Sequence, residues 1–409
     1  MTLAAPAAAD QPVDAAASKA GERRAMGVAC GAHALHDGYT DLIYVMLPLW
    51  QAEFGIGYAA LGLLKTCFSG TMAGLQIPSS LLAERFGLPL VLAVGTALSG
   101  IGYLVAGASV GFWTLVIALV IGGLGSSTQH PLGSALVARA FAGPRSLKAL
   151  GTYNFAGDIG KMSLPALASL LLVLLPWQPT LALLGALGIA AAAAIFWLAP
   201  RLAAEGAAAS APKAATVLPA HSGAGRFGFP LLLSIGMLDS ATRMGFLIFL
   251  PFVLLSKGAS LPTVGLALTL VFAGGAVGKL VCAFVGARIG AIATVCLTEG
   301  LTTAAILALL PLPLEAALLL LPLLGVMLNG TSSVLYGSVP ELVAPARRAR
   351  AFGVFYTGTI GAGATAPVLY GLVGDAVGVP TALTAVAGVC LLTLPLTLVL
   401  RPALPEAAR

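Results

Sequence analysis

The sequence is poor in charged residues, because Asp, Glu, Lys and Arg together make up only 9% of its 409 residues. A water-soluble chain of this length would carry about a quarter of its residues charged. This deficit excludes a soluble enzyme, a disordered protein and a nucleic-acid-binding protein. The sequence also lacks a phosphate-binding glycine loop, a zinc-ligand spacing and a nucleophile paired with a base. We therefore expect no catalysis, no cofactor, no metal and no nucleic-acid partner.

Cysteine is scarce as well, and its placement argues against a metal site or a disulfide framework. All five cysteines lie within apolar stretches and without metal-ligand spacing, so we interpret them as small core residues. The amino-terminal segment has no apolar run ahead of its charges, so it does not resemble a secretory signal. We predict that residues 1–25 form a disordered cytoplasmic tail.

Apolar sequence is what the chain has in abundance, with 59% of its residues hydrophobic and a mean hydropathy of +1.00. A bilayer core of about 30 Å needs about 20 apolar residues per helix. We therefore predict an all-α membrane protein with twelve transmembrane helices. The predicted spans are 26–50, 58–83, 88–107, 111–141, 147–173, 179–199, 227–256, 262–286, 290–310, 313–343, 349–373 and 379–400.

The positive charges predict the orientation of these spans. With the amino terminus in the cytoplasm, sixteen Lys and Arg residues fall in inner loops and tails, whereas only Lys257 falls outside. One long connector, residues 201–226, is rich in Ala, Pro and Gly and becomes a cytoplasmic linker between six spans and six. We expect both termini, including a short tail at 401–409, on the cytoplasmic side of a bacterial inner membrane.

The two halves of the sequence repeat in the same orientation at an offset of about 203 residues. The matching pairs include Pro48 with Pro251, Gly62 with Gly265, and Pro165 with Pro367. Two parallel six-helix bundles, 26–200 and 227–400, resemble the organisation of major facilitator transporters, whose halves rock about a site near the midplane of the membrane. A channel is a less suitable interpretation, because no segment resembles a selectivity filter.

Local motifs extend this resemblance, which covers about residues 26–400. The stretch SLLAERFG at 80–87 resembles the superfamily's signature loop, and this resemblance implies a cytoplasmic gate at Glu84 and Arg85. The segments AHALHDGYTDLIYVMLPLW at 32–50 and GLGSSTQHPLGSALVARAF at 123–141 are similar to the fosmidomycin-resistance branch. That resemblance implies proton-driven export and drug resistance without specifying a solute.

Ionisable residues within the predicted spans are the candidate functional residues, since each costs about 2.5–3.5 kcal/mol at the bilayer centre. In helix 1, His33, Asp37, Asp41 and Tyr44 share one face at helical spacing. They form either a hydrogen-bonded network that locks helix 1 to a neighbour or a functional stripe. We assign proton coupling to the two acids and His33, and substrate contact to Tyr44, whereas His36 lies on another face as a packing residue.

Two further helices carry an acid and a base one turn apart. Asp158 and Lys161 share a face of helix 5 with Asn154, and Asp239 precedes Arg243 by four residues in helix 7. Each pair is either an internal ion pair or a switch in which an anionic solute takes the cation and frees the acid for a proton. We assign the two acids to proton coupling and the other three residues to substrate binding, because a guanidinium suits carboxylate, phosphate or phosphonate.

Several more polar residues are candidates on weaker grounds. Lys65 either reaches a cavity or extends toward the membrane surface, and Lys279 is expected to extend to the inner surface. His130 precedes Pro131 and either caps a broken helix or joins the proton path. We assign Lys65, Asn329 and Tyr356 to substrate binding and His130 to proton coupling, while Glu299 receives no assignment.

Together these features predict a monomeric secondary transporter that exchanges protons for a small anionic or zwitterionic organic solute. The partners are then the solute, protons and the lipid bilayer. An importer or anion exchanger that uses no proton is the nearest alternative. A membrane sensor or scaffold that retains the fold without transporting is the alternative from another functional class.

Overall fold

The computed structural model describes residues 19–141, 144–200, 227–344 and 347–404, and all regular structure in these ranges is helical. The predicted linker 201–226 and most of both predicted tails lie outside the described residues. The first helix begins at Lys19, so the tail prediction is wrong for residues 19–25. In this segment the carboxylate of Glu22 lies 2.7 Å from the guanidinium of Arg145.

The helices follow the predicted spans to within a few residues at most ends. In the first half they are α1 (Lys19–Phe54), α2 (Tyr58–Gly74), α3 (Gln76–Phe86), α4 (Leu88–Gly107), α5 (Phe112–Ser126), α6 (Gln129–Ala140), α7 (Pro144–Leu174) and α8 (Trp177–Leu198). In the second half they are α9 (Gly228–Ser256), α10 (Leu261–Ile289), α11 (Ala291–Leu309), α12 (Leu314–Leu342), α13 (Arg348–Val377), α14 (Val379–Leu391) and α15 (Thr393–Leu400).

Three predicted spans are interrupted where the sequence predicted continuous helices: 58–83, 111–141 and 379–400. They consist of α2 with α3, α5 with α6, and α14 with α15. Each interruption lies about three residues before a proline, namely Pro78, Pro131 or Pro395. A proline has no N–H for the carbonyl four residues earlier, and its ring collides with that carbonyl, so the helix bends or breaks there.

Ten helical segments of the described chain are long and apolar enough to cross a membrane. The helix α1 is not among them, because two histidines and two aspartates interrupt its apolar sequence. The helix α2, with 17 residues, is short for a bilayer core. Large apolar side chains are exposed along the outside of the molecule, including Leu280 and Leu319, which are 76% and 82% exposed. Such surfaces suit contact with lipid.

The helices form two bundles, one from α1–α8 and one from α9–α15. Within the first bundle α1 packs on α7 and α4 packs on α8, while within the second α10 packs on α12 and α9 packs on α13. The bundles meet where α2 lies against α13 and where α7 lies against α10, and α1 also contacts α9. The functional candidates on α1, α7, α9 and α10 therefore border the interface between the bundles.

The buried apolar core differs between the two ends of the molecule. We call the end at which α1 finishes the outer end, following the predicted orientation, and the opposite end the inner end. Toward the outer end one continuous cluster contains residues of both bundles, such as Trp50, Phe68 and Phe249. Toward the inner end each bundle has a separate cluster, with Leu92 in one and Leu232 in the other. The bundles are therefore closed against each other at the outer end and separate at the inner end.

Residues related by the sequence repeat form this outer contact in a crossed pattern. A Cβ atom on Gly62 of α2 would lie 2.3 Å from the carbonyl oxygen of Pro367 in α13. A Cβ atom on Gly265 of α10 would lie 3.3 Å from the carbonyl oxygen of Pro165 in α7. Glycine thus allows the two helices to approach closely in both places. The two contacts are equivalent in the repeat, because Gly62 matches Gly265 and Pro367 matches Pro165.

Candidate functional site

Asp37 is the centre of the candidate site, and basic side chains from three helices surround its buried carboxylate. His33 of the same helix places its Nε2 atom 3.4 Å from Oδ2, and Lys161 of α7 places its Nζ atom 3.3 Å from the same oxygen. His130 of α6 places its Nε2 atom 3.8 Å from Oδ1. The interruption before Pro131 lies at the start of α6 and so positions His130 at this level.

The orientation of His33 makes it able to share a proton with Asp37. Its Nδ1 atom lies 2.8 Å from the carbonyl oxygen of Tyr153, which can only accept, so Nδ1 carries the hydrogen. The Nε2 atom then presents a lone pair to the carboxylate whenever the ring is neutral. A proton added to either group forms a hydrogen bond between them, so the pair is a chemically suitable proton acceptor.

Two residues that the sequence analysis did not assign to the site also border this cluster of side chains. The ring of His130 lies between the rings of His33 and His36, with centroid separations of 5.3 and 5.2 Å. His36 therefore borders the cluster instead of serving only as the predicted packing residue, and its Nε2 atom has no partner among the described residues. Gly157 of α7 supplies the space, because a Cβ atom there would lie 2.7 Å from the Asp37 carboxylate.

A chain of charges continues from Asp37 across the interface between the bundles. Lys161 lies between Asp37 and Asp158, with its Nζ atom 3.9 Å from an oxygen of Asp158. The two oxygens of Asp158 accept hydrogen bonds of 2.6 and 2.8 Å from Lys279 of α10. The prediction that Lys279 extends to the inner membrane surface is therefore wrong, because it forms the closest ion pair of Asp158. We call Asp37, Lys161, Asp158 and Lys279 the charge relay.

Lys65 and Tyr44 lie together on the outer side of the charge relay. The Lys65 side chain is 2% exposed, donates a 2.6 Å hydrogen bond to the carbonyl of Thr40, and lies 4.6 Å from the centroid of the Tyr44 ring. It is therefore held inside the first bundle rather than extended to the membrane surface. The Tyr44 hydroxyl lies 3.3 Å from the sulfur of Met244 and connects α1 to α9.

Arg243 brings a cation from the second bundle to the same central region. Its guanidinium lies 3.8 Å from Asp239 on α9, and its side chain is 20% exposed. Asp41 is buried, and the cation with the strongest electrostatic effect on it is Lys65, followed by Lys161 and Arg243. Tyr356 of α13 is 46% exposed and also lies within electrostatic range of Arg243 and Lys161. Ionisable groups from both bundles therefore lie close to the interface between the bundles.

The remaining predicted site residues lie outside this group. Asn154 is exposed on α7. Asn329 packs against Gly275 and donates to a carbonyl of its own helix, so its amide is engaged within the second bundle. Glu84 and Arg85 are exposed at the end of α3, where the Arg85 guanidinium lies over the ring of the next residue. The implied gate function of these two residues stays a prediction.

The cluster at Asp37 could also provide ligands for a metal ion. One ligand atom each from His33, Asp37 and His130 lie within 4.8 Å of one another, and two histidines with a carboxylate are a common set for divalent cations. However, the ammonium of Lys161 lies 3.3 Å from the same carboxylate, and a positive charge at that distance opposes a cation. The geometry therefore does not favour a metal ion at this cluster.

Asp375 is a polar contact between the bundles that the sequence analysis missed. Its carboxylate, near the end of α13, accepts hydrogen bonds of 2.6 and 3.0 Å from the backbone N–H groups of Tyr58 and Ala59 at the start of α2. A Cβ atom on Gly57 would lie 2.6 Å from that carboxylate. An acid at a helix amino terminus is favourable. In the sequence, the glycine before α2 indicated that another group could approach this end of the helix.

A family sequence model matches almost the whole chain, whereas individual known proteins match parts of it. The sequence model of the Major Facilitator Superfamily matches residues 29–231 and 232–409. Fosmidomycin resistance protein of Escherichia coli (strain K12) is 31% identical over 168 residues, which are 40% of this chain and 41% of that protein. Uncharacterized MFS-type transporter YfnC of Bacillus subtilis (strain 168) is 27% identical over 141 residues, 34% of each chain. The chain thus matches less than half the length of either relative.

Solved structures resemble the fold as a whole. An inward-facing, occupied crystal structure of a bacterial homologue of the human lysosomal transporter Spinster has a TM-score of 0.77 at 14% identity, covering 94% of this chain and 97% of that one. A crystal structure of a mutant of nucleoside transporter NupG has a TM-score of 0.75 at 16% identity, covering 93% and 99%. The family resemblance predicted from the motifs is confirmed by these sequence and structure matches.

Proposed function

Because the chain belongs to the major facilitator superfamily, whose members are membrane transporters, we propose that it is a proton-coupled secondary transporter that works by alternating access. The ten apolar segments, together with α1 and the α2–α3 pair, give twelve crossings in two parallel repeats. We place it in the bacterial inner membrane as a monomer with both termini in the cytoplasm. The open inner end then receives solute from the cytoplasm.

The observation that supports proton coupling is the charge relay. Two acids and two lysines alternate across the bundle interface, with separations of 3.3, 3.9 and 2.6 Å. A proton on Asp37 removes the closer of the two counter-ions of Lys161, and a proton on Asp158 weakens its bond to Lys279. Proton binding therefore changes both the cation available to a solute and an attraction between the two bundles.

Whether proton binding favours or opposes solute binding restricts the chemical class of the solute. If a proton on Asp37 frees Lys161, then a proton and a purely anionic solute favour each other's binding, which produces cotransport. Exchange requires competition, so the exported solute must carry a cationic or hydrogen-bond-donating group that replaces the proton on Asp37. We propose a small zwitterionic or donor-bearing organic solute, whose anionic group binds Lys161 or Arg243.

Export is supported by the similarity to Fosmidomycin resistance protein, over 41% of that relative's length. A proton-independent importer or anion exchanger is the second candidate. The observation that favours it is the equal number of acids and lysines in the charge relay, which needs no proton to be neutral. Counterflow of labelled solute in vesicles without a pH gradient tests it, because an exchanger reaches the same rate with or without an imposed gradient.

The substrate residues are tested by transport in proteoliposomes. A thermal-shift screen of the purified protein against small carboxylates, phosphonates and zwitterions first selects the solute, since a ligand that binds the folded state raises the unfolding temperature. We expect Lys161→Ala and Arg243→Ala each to lower transport about 10- to 100-fold, as loss of a charge-assisted hydrogen bond predicts. Lys148→Ala on the same helix as Lys161, and exposed Arg288→Ala, are the matched controls.

Proton coupling is tested separately with Asp37→Asn and Asp158→Asn. We expect both variants to lose accumulation of solute driven by a pH gradient, whereas counterflow continues at equal pH. If both variants still accumulate solute against its concentration gradient, neither acid couples protons. Parent-like transport by both Lys161→Ala and Arg243→Ala would instead remove the solute-binding part of the proposal.

A further inference from the structure

A second group of buried acids lies in the second bundle, apart from the charge relay. Asp239 of α9 and Glu299 of α11 are 4% and 2% exposed, so both carboxyl groups are shielded from water. Of the two, only Asp239 forms an ion pair among the described residues, with Arg243. A buried carboxylate without a cationic partner is costly, and ionised carboxylates repel each other when they are shielded from water. Two acids with one cation therefore favour one bound proton.

The neighbouring side chains indicate which acid carries that proton. The Arg243 guanidinium lies 3.8 Å from Oδ2 of Asp239, so the negative charge is favoured on Asp239. Glu299 receives a hydrogen bond from the thiol of Cys390, whose sulfur lies 3.1 Å from Oε2. A thiol is a weak donor and compensates a carboxylate charge poorly. Glu299 is thus the protonated member, and the pair with Arg243 is electrically neutral.

Unpartnered hydroxyl groups one helical turn from each acid are an independent sign of a binding site. Thr242 lies one turn after Asp239, and Thr302 lies one turn after Glu299, each 1% exposed. Neither hydroxyl has a hydrogen-bond partner among the described residues. Buried hydroxyls are normally paired, and each can both donate and accept a hydrogen bond. They supply the groups that a proton entering or leaving the pair requires.

We propose that Asp239 and Glu299 form a proton-binding site of the second bundle, in which Glu299 holds the proton and Arg243 is the counter-ion of Asp239. Its part in transport rests on the proposed function, to which it adds a second proton site on the other bundle from Asp37. A cationic group of the zwitterionic solute that reaches Asp239 competes with the bound proton, as the proposed exchange requires. The proton itself can be detected without any transport.

Infrared difference spectroscopy of the purified protein at neutral pH tests the site. A protonated buried carboxyl gives a carbonyl-stretching band that carboxylates lack. We expect Glu299→Gln to remove one such band, and Cys390→Ala to shift it because the hydrogen bond to Oε2 is lost. Exposed Glu315→Gln on α12 of the same bundle is the control, and its spectrum should match the parent in this region. Cys390→Ala keeps the test decisive if Glu299→Gln does not fold.

Two outcomes would overturn the proposal. The first is a parent spectrum in which neither variant changes a protonated-carboxyl band. The second is loss of the band when sodium chloride replaces choline chloride at fixed pH, because the pair would then bind sodium rather than a proton. A band that behaves as expected, in a protein that transports without proton coupling, would contradict the proposed function and leave this site standing. An unchanged proton-to-solute ratio in Glu299→Gln would exclude the site from the transport cycle.

Discussion

Gly157 is the residue on α7 that allows the His33–Asp37 pair to lie against that helix. Its missing side chain leaves the space that the imidazole and carboxylate occupy, since a Cβ atom would lie 2.7 Å from both groups. Two buried polar groups with defined partners cannot move without losing hydrogen bonds. The position of the proton acceptor therefore depends on a residue that has no polar atoms of its own.

We expect Gly157→Ala to displace His33 and Asp37 and to reduce transport driven by a pH gradient at least about tenfold, which corresponds to about 1.4 kcal/mol. The control is Gly151→Ala on the same helix, where nothing lies within 4 Å of the added atom. This control should be neutral or stabilising by up to about 1 kcal/mol. Proteoliposome uptake at several imposed pH differences measures the effect. An unchanged response of Gly157→Ala would show that the pair's position does not matter for coupling.

At this scale the sequence predicts residues that share a helix better than residues that meet across helices. The stripe of His33, Asp37, Asp41 and Tyr44 and the neighbours Asp239 and Arg243 follow from helical periodicity. The ion pair of Asp158 with Lys279 does not, because its members lie 121 positions apart on different bundles. Glu299 was visible among threonines, yet the thiol of Cys390 beside its carboxyl group required the packing of α11 on α14.

Asp375 connects two elements, because a side chain from the end of α13 satisfies the first N–H groups of α2. The amino terminus of a helix leaves N–H groups without partners and carries a partial positive charge. A carboxylate from the other bundle supplies both hydrogen bonds and charge. The start of α2 is therefore stabilised only while the outer end is closed.

We expect Asp375→Ala to expose the amides of Tyr58 and Ala59 and to raise their hydrogen exchange, because a lost cap costs about 0.5–2 kcal/mol, or about 2- to 30-fold in exchange rate. Hydrogen exchange with mass spectrometry on peptides covering the start of α2 is the measurement. Glu315→Gln, an exposed acid in the first turn of α12, is the matched control. Exchange that stays at the parent's rate in Asp375→Ala would contradict the capping role.

The bounds of the helices were largely predictable, because the length of an apolar stretch and its polar ends are local properties. The interruptions were not. Proline lies three residues after each interruption, but Pro48, Pro165, Pro251 and Pro367 lie inside continuous helices. Whether a proline bends or ends a helix depends on neighbours that can satisfy the freed backbone groups, and these neighbours are set by the packing of other helices.

The closed outer end is a property of the whole molecule, and the crossed contacts of the two glycines control it. We expect Gly62→Ala to separate the outer ends, because the added atom would lie 2.3 Å from a backbone oxygen that cannot move aside easily. Electron paramagnetic resonance between spin labels at Val110 and Glu315 should report a longer or broader distance. The labelling background replaces the three partly exposed cysteines Cys30, Cys67 and Cys296.

Gly70→Ala is the control for this experiment, since Gly70 lies on the same helix and nothing lies within 4 Å of its added Cβ atom. Its label distance should equal that of the parent. An unchanged distance in Gly62→Ala would mean that α2 and α13 can adjust, and that the close approach of their backbones does not determine closure. The repeat-related Gly265→Ala should act in the same direction, because the added atom would lie 2.6 Å from the Cβ atom of Ser169, which a side-chain rotation does not move.

The arrangement of the apolar core, joined at the outer end and divided at the inner end, has a consequence for leakage. A conformation open at both ends would expose the joined core to water without burying apolar surface elsewhere. This exposure costs about 2.5 kcal/mol for every 100 Å² of apolar surface. Closing the inner mouth as the outer one opens exchanges one buried area for another. The same leucines and phenylalanines that seal the molecule against water therefore also make a continuous pore through it a rare event.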